Sequence, residues 1–275
     1  MVTLTGFADE ISQNLDEQVA TLQELGIRYL ELRGVNGKNV LNLTDEEVES
    51  VKKTLQEAGI GVSAIGSPIG KYGIADDFDT QMEQLKRIIT IAKALDTKYI
   101  RGFSFWMPKD EDPATYRDEV MRRMKAMVEL TTENGLRYLH ENEKGIYGDT
   151  AARCVDLLDT VGPQLGCIFD PANFVQVGED VPGECFPALR DRIEYVHVKD
   201  ARASDGVNVP AGEGDGGLPE VLKGLIVEDG FDGFLSLEPH LQIAGASNGF
   251  SGPQLFKQAT DALKKILDEL GVEYQ

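Results

Sequence analysis

The sequence predicts an α/β fold, a single (β/α)8 TIM barrel in which residues 1–275 form one domain. Three observations predict it. Short apolar segments rich in β-branched and aromatic residues alternate with amphipathic helical segments along the whole chain, and eight such strands can be counted. Four helices end on the same Gly-containing form. The length, 275 residues, is close to the roughly 250 typical of one such barrel. Alternating β and α units specify a parallel sheet, and eight of them specify closure.

In chain order the strands are expected at Thr3–Phe7, Tyr29–Arg33, Gly61–Ile65, Tyr99–Phe103, Arg137–Glu141, Gly166–Asp170, Tyr195–Lys199 and Gly233–Glu238. The helices between them show one apolar face each. Leu15, Val19, Leu22 and Leu25 share a face, as do Leu85, Ile88, Ile89, Ala92 and Leu95. Thr44 with Glu47 three residues on has the form of a capping box opening the second helix. Glu-Leu-Gly26, Glu-Ala-Gly59, Glu-Asn-Gly135 and Glu-Leu-Gly271 end helices on the residue that enters the left-handed region without a Cβ penalty. A last helix, from about Pro253 to Leu270, completes the count.

No Pro/Ser-rich linker divides the chain, which favours one domain over two. A doubly wound open sheet would carry a Gly-rich phosphate fingerprint after its first strand, and Phe7-Ala8-Asp9-Glu10 is not one. Hydrophobic residues at 41% and charged residues at 27% give an ordinary soluble balance. The net charge of −20 opposes a phosphate backbone, and no Lys/Arg run offsets it, so nucleic acid is excluded as a partner. No apolar stretch is long enough to span a bilayer, and the start lacks a basic segment followed by an apolar one, so neither a membrane nor an export signal is expected. Cys154, Cys167 and Cys185 are odd in number and lack a CxxC spacing, which points to reduced thiols in the cytoplasm.

Function on this fold gathers at the C-terminal ends of the strands. Those ends are rich in ionisable residues here: His140-Glu141-Asn142-Glu143 after the fifth strand, Asp170-Pro171-Ala172-Asn173 after the sixth, His197-Val198-Lys199-Asp200 after the seventh, and Glu238-Pro239-His240 after the eighth. Alternation sends every second side chain into the barrel, so His197 and Lys199 share a direction, Glu141 points with Leu139 and Glu143, and Glu238 points with Ser236 and His240. His140 should face the helices. Three carboxylates crowded in a low-dielectric mouth repel unless a cation compensates. One divalent metal ion held by Glu141, Asp170, His197 and Glu238 resolves the conflict, and this mixed ligand set suits Mn²⁺, Mg²⁺, Co²⁺ or Zn²⁺ alike.

At these residues the sequence resembles the xylose isomerase-like TIM barrels, the superfamily of sugar isomerases and epimerases. The resemblance covers essentially the whole chain. Its most specific segments are His140–Glu143, Asp170–Asn173, His197–Arg202, Gly212–Gly216 and Gly233–Glu238. It implies the same four metal ligands and adds a role: in ketose 3-epimerases of this group the two glutamate ligands also act as the acid/base pair, which falls on Glu141 and Glu238 here. One takes a proton from the carbon beside a carbonyl to give an enediolate, and the other returns a proton and inverts that centre. The chain departs from the pattern at Asn173, where ketose epimerases commonly carry a substrate-contacting His. The superfamily's three-zinc DNA-repair endonucleases use many His ligands, whereas this chain has three His in all.

Further substrate contacts are expected from Lys199 and Arg202 beyond the seventh strand, from Asn173, and from Glu143 and His240 one layer out. Arg101 and Trp106, with Phe103 and Lys71, are expected to form a wall. The loop 212–217 only superficially resembles a phosphate loop, because it carries Glu213 and Asp215 and reads as flexible. The reading is therefore a divalent-metal-dependent sugar isomerase or epimerase with a small sugar as partner, and it admits a homo-oligomer. A metal-dependent dehydratase or lyase on a keto-polyol or keto sugar is the second reading, and a non-catalytic sugar-binding barrel the third.

Overall fold

A computed structural model describes residues 1–241 and 250–275 of the protein. Eight strands form the sheet: β1 (Thr3–Gly6), β2 (Tyr29–Leu32), β3 (Gly61–Ile65), β4 (Tyr99–Gly102), β5 (Arg137–Glu141), β6 (Leu165–Phe169), β7 (Ile193–Val198) and β8 (Phe234–Leu237). They hydrogen-bond in the order β1-β8-β7-β6-β5-β4-β3-β2, every ladder parallel, and β1 lies beside β2 so that the barrel nearly closes. The fold is a (β/α)8 TIM barrel, as the alternation predicts.

The helices around it are α1 (Leu15–Glu24), α2 (Asp45–Ala58), α3 (Phe78–Ala94), α4 (Arg117–Glu133), α5 (Ala151–Val161), α6 (Pro171–Gln176), α7 (Phe186–Leu189), α8 (Leu218–Leu222) and α9 (Gly252–Glu269). The capping box of α2 is formed in both directions: Glu47 N–H donates to Thr44 Oγ1 at 3.3 Å, and Thr44 N–H donates to Glu47 Oε2 at 2.9 Å. Gly59 ends α2 at φ +68°, and Gly135 follows α4 at φ +76°. The predicted faces of α1 and α3 are buried against the strands.

The barrel interior is layered. Tyr29, Tyr99 and Phe234, each the first residue of its strand, meet edge-on at the bottom. Above them Leu139, Ile168, Tyr195 and Ala64 form a small apolar layer separate from the large core between strands and helices. A polar layer of Thr5, Glu31, Ser63 and Ser236 follows, all buried. The four strand-end side chains sit at the top. Val196 and Val198 belong to the helix-side core, as the pleat predicts for neighbours of inward His197.

Boundaries differ by a residue or two from those expected. β6 stops at Phe169 because Asp170 already caps α6, and β7 begins earlier, at Ile193. Two short antiparallel pairs, Gly34–Val35 with Lys38–Asn39 and Asp200–Ala201 with Asn208–Val209, were not anticipated.

Candidate functional site

Glu141, Asp170, His197 and Glu238 converge, each offering a ligand atom within 4.8 Å of the others. All four are buried. Local structure aims them. Asp170 is the N-cap of α6, with Pro171 at the first helical position; its Oδ1 accepts the Asn173 N–H at 3.0 Å, which leaves Oδ2 for the centre. Asn142 locks that turn, donating to Asp170 O and accepting from Asp170 N–H, both at 2.9 Å. His197 Nδ1 lies 3.3 Å from Glu141 Oε1, 3.4 Å from Glu238 Oε2 and 3.9 Å from Asp170 Oδ2.

The donor set fits a divalent ion. Asp170 Oδ2 and His197 Nδ1 are buried without a hydrogen-bond partner, although charged groups stand close by. Four ligands arranged tetrahedrally around an ion at about 2.0–2.2 Å would be about 3.3–3.6 Å apart. The 3.3, 3.4 and 3.9 Å from His197 Nδ1 to the three carboxylates lie close to that.

Three cations compensate the carboxylates. Lys199 Nζ is 2.7 Å from Asp170 Oδ2 and donates to Glu238 Oε2 at 3.1 Å. Arg101 donates to Glu141 Oε2 at 3.2 Å and stands 3.9 Å from Glu238 Oε1. Arg33 donates to Glu238 Oε1 at 2.9 Å and to Asp9 Oδ2 at 2.8 Å. Burial opposes the charge on Glu141, but His197 and Arg101 outweigh it and bring this carboxylate down to about 2. Glu238 is also held well below its ordinary value, against burial, by Lys199 and His240. Burial dominates at Asp170 and lifts it to about 7 despite Lys199.

A cavity of about 830 Å³ opens above this centre. Of the expected substrate contacts, Lys199, Asn173, Glu143, His240 and Trp106 line it, with Lys71 beside them. Asn173 donates to Asn142 O at 2.8 Å and lies 3.4 Å from Glu141 Oε1, so it braces Glu141 as well as facing the cavity. Lys71 pairs with Glu143 at 2.9 Å and lies over the Phe103 ring. Two placements differ from expectation. Arg101 is buried beneath the wall, between the two glutamates, rather than in it. Arg202 is turned out of the cavity: its guanidinium is held by Asp205 at 2.8 Å on the exposed end of the hairpin. His140 packs on the helix side, its Nε2 2.9 Å from Ser104 Oγ.

Several residues of the site had no sequence signal attached to them. Arg33 directly follows β2 and could have been found by extending the strand-end rule to the second strand. Glu31, two residues earlier, shares its inward direction. Glu10 follows β1; its Oε2 accepts from His240 N–H at 2.9 Å and Ser251 Oγ at 2.7 Å, pinning both stems of the loop after β8. Burial pushes Glu10 up to about 8. Glu10, Glu238 and His240 form a second group of ligand type, but Arg33 lies 4.0 Å from Glu10 Oε1 and binds Glu238, which disfavours a metal cation there.

The loop 212–217 is ordered by an internal anion. Buried Asp200 accepts backbone N–H groups from Ala201 and Gly216 at 2.9 Å on Oδ1, and from Gly212 at 2.9 Å and Gly214 at 3.1 Å on Oδ2. A Cβ at position 214 would stand 2.3 Å from Asp200 Oδ1, so only glycine admits this wrap. The expectation of a flexible loop is corrected, and its amides are not free for a phosphate. Asp200→Ala is expected to cost about 3 kcal/mol or more, since it strands several buried donors. Chemical denaturation measures that loss, and limited proteolysis should then cut within residues 203–217.

Comparisons with known proteins bear on the fold and the family. A 3-dehydroshikimate dehydratase of Bacillus anthracis is 24% identical over 187 residues, 68% of this chain and 66% of that protein, so the match spans a little under two thirds of the relative's length. Among solved structures, the probable 3-dehydroshikimate dehydratase of petrobactin synthesis from Bacillus anthracis superposes with a TM-score of 0.76 at 19% identity, covering 96% of this chain and 99% of that one. A D-tagatose 3-epimerase-like protein gives 0.76 at 17% identity, with 98% of each chain covered. The IOLI protein, solved with a zinc atom, gives 0.75 at 16%, again covering 98% of each. These likenesses are of fold. The sequence model of the xylose isomerase-like TIM barrel matches residues 19–266, nearly the whole chain, and the protein belongs to that family.

Proposed function

We propose that the protein is a divalent-metal-dependent sugar isomerase or epimerase that removes a proton from the carbon beside a carbonyl. One observation carries the reading. Glu141 from β5 and Glu238 from β8, with two strands between them, both reach the same centre beneath the cavity. Glu141, Asp170, His197 and Glu238 would hold the ion, whose chemistry when bound is to polarise a carbonyl and acidify the adjacent C–H. One glutamate, ionised, takes that proton, and the other, after drawing a proton from solvent, delivers it to the opposite face. The base must be a carboxylate, and both positions favour that form, Glu141 through His197 and Arg101 and Glu238 through Lys199 and His240, so the donor holds its proton only in passing. Lys199, Asn173, Glu143, His240 and Trp106 bind the sugar and exclude water from it. The substrate is a small cytoplasmic sugar; no described helix is long and apolar enough to cross a membrane.

A dehydratase is the second reading, favoured by the dehydratase relative. It would use the same proton abstraction and then expel a β-hydroxyl. The test is incubation of the metal-loaded protein in D₂O with a panel of ketoses, keto-polyols and 3-dehydroshikimate. Deuterium at an inverted carbon is the expected result. Loss of water would move the assignment to the lyase, and absence of exchange with every metal would overturn both.

A further inference from the structure

Beneath the four converging side chains lies a further carboxylate that the proposed chemistry does not use. Glu31 on β2 is 1% exposed, and among the described residues no Lys or Arg comes within 4.0 Å of it. A buried carboxylate without a cation is costly unless other groups hold it. Two hydroxyls do so from neighbouring walls of the barrel: Ser236 on β8 donates to Oε2 at 2.7 Å, and Tyr195 on β7 donates at 3.0 Å. Ser63 supports the Tyr195 hydroxyl at 3.0 Å and meets Thr5 Oγ1 at 2.8 Å. Oε2 is thus fixed in place, 3.3 Å from His197 Nε2.

The imidazole is fixed as well. Phe7 packs edge-on to it at 5.2 Å and Tyr195 at 5.9 Å. Nε2 meets no hydrogen-bond acceptor in good geometry among the described residues; the carboxylate that stands beside it is Glu31, at 3.3 Å. A proton on Nε2 has one carboxylate to meet, and the lone pair then belongs to Nδ1, the nitrogen turned to Glu141, Asp170 and Glu238.

We propose that Glu31 is the positioning residue of the metal centre: it holds the Nε2–H form of His197 and so presents Nδ1 to the ion. This rests on the metal-centre reading above. A carboxylate behind a metal-bound histidine fixes ring and tautomer and raises ligand basicity, and loss of such a partner weakens metal affinity by about 10–100-fold. Without Glu31, Nε2–H would face the barrel floor with no partner, and the other tautomer, which presents a hydrogen to the centre, would compete.

The test compares wild type with Glu31→Ala and with the near-isosteric Glu31→Gln, which keeps an acceptor for Nε2–H. Zn²⁺ affinity is measured by competition with a chromophoric chelator, and proton–nitrogen NMR of the Zn²⁺-loaded protein, tractable with three histidines, reports the Nε2–H of His197. Glu31→Ala is expected to bind Zn²⁺ about 10–100-fold more weakly and to lose the downfield Nε2–H resonance that a carboxylate acceptor gives, with Glu31→Gln in between. If Glu31→Ala does not fold, Glu31→Gln decides. Folded variants with wild-type affinity and an unchanged Nε2–H resonance would overturn the role of Glu31, whereas a wild type that binds no Zn²⁺ would overturn the metal centre itself.

Discussion

Glu141→Gln and Glu238→Gln are each expected to lower turnover by about 10²–10⁴-fold, the range spanned by a positioned acid or base. Glutamine keeps the length and one oxygen of glutamate, so it retains a metal contact and most of the packing, but it cannot take up a proton at neutral pH. The surroundings favour the ionised state that the base needs: burial opposes it, and the cations around both carboxyls reverse that. Arg101 is shared between the pair, 3.2 Å from Glu141 Oε2 and 3.9 Å from Glu238 Oε1. Steady-state kinetics beside metal content separates lost chemistry from lost metal. Normal turnover in both variants would remove the acid/base pair from the mechanism.

Metal should stabilise the fold by a measurable amount. The four groups of the centre come from β5, the cap of α6, β7 and the end of β8, and the unfolded chain does not assemble them. An ion present at about 100 times its Kd therefore adds about 2.7 kcal/mol. For a domain of this size that raises Tm by roughly 5 °C. The rise is expected with at least one of Mn²⁺, Mg²⁺, Co²⁺ or Zn²⁺, is reversed by a chelator, and disappears in His197→Ala, measured by thermal unfolding. An unchanged wild-type Tm with all four ions would count against the site.

The barrel was legible because its signal is distributed. Eight short apolar segments, each followed by a helix with one apolar face, admit few other folds, and Gly59 and Gly135 mark helix ends through their left-handed conformation. Glu141, Asp170, His197 and Glu238 were legible as a group because strand ends define the mouth and alternation fixes direction. Glu31, Arg33 and Glu10 were not. Asp9-Glu10 and Glu31-Leu32-Arg33 do stand at strand ends, but their partners lie up to 241 positions away, as Ser251 does from Glu10. Direction along a strand does not give depth either: Arg101 points inward as an inner-wall residue must, yet it sits below the cavity, between the two glutamates. Arg202 shows the opposite limit, since a two-residue pairing beyond β7 turned it away toward Asp205. Loop 212–217 looked flexible from its glycines, whereas those glycines permit close approach to Asp200.

Glu141, Asp170, His197 and Glu238 are proposed to hold one divalent ion, and anomalous diffraction from crystals grown with Mn²⁺ is the most direct test. One strong peak is expected, ligated by Glu141, Asp170, Glu238 and Nδ1 of His197, with Nε2 turned to Glu31. No peak at that position, or a peak on Glu10, Glu238 and His240 instead, would contradict it.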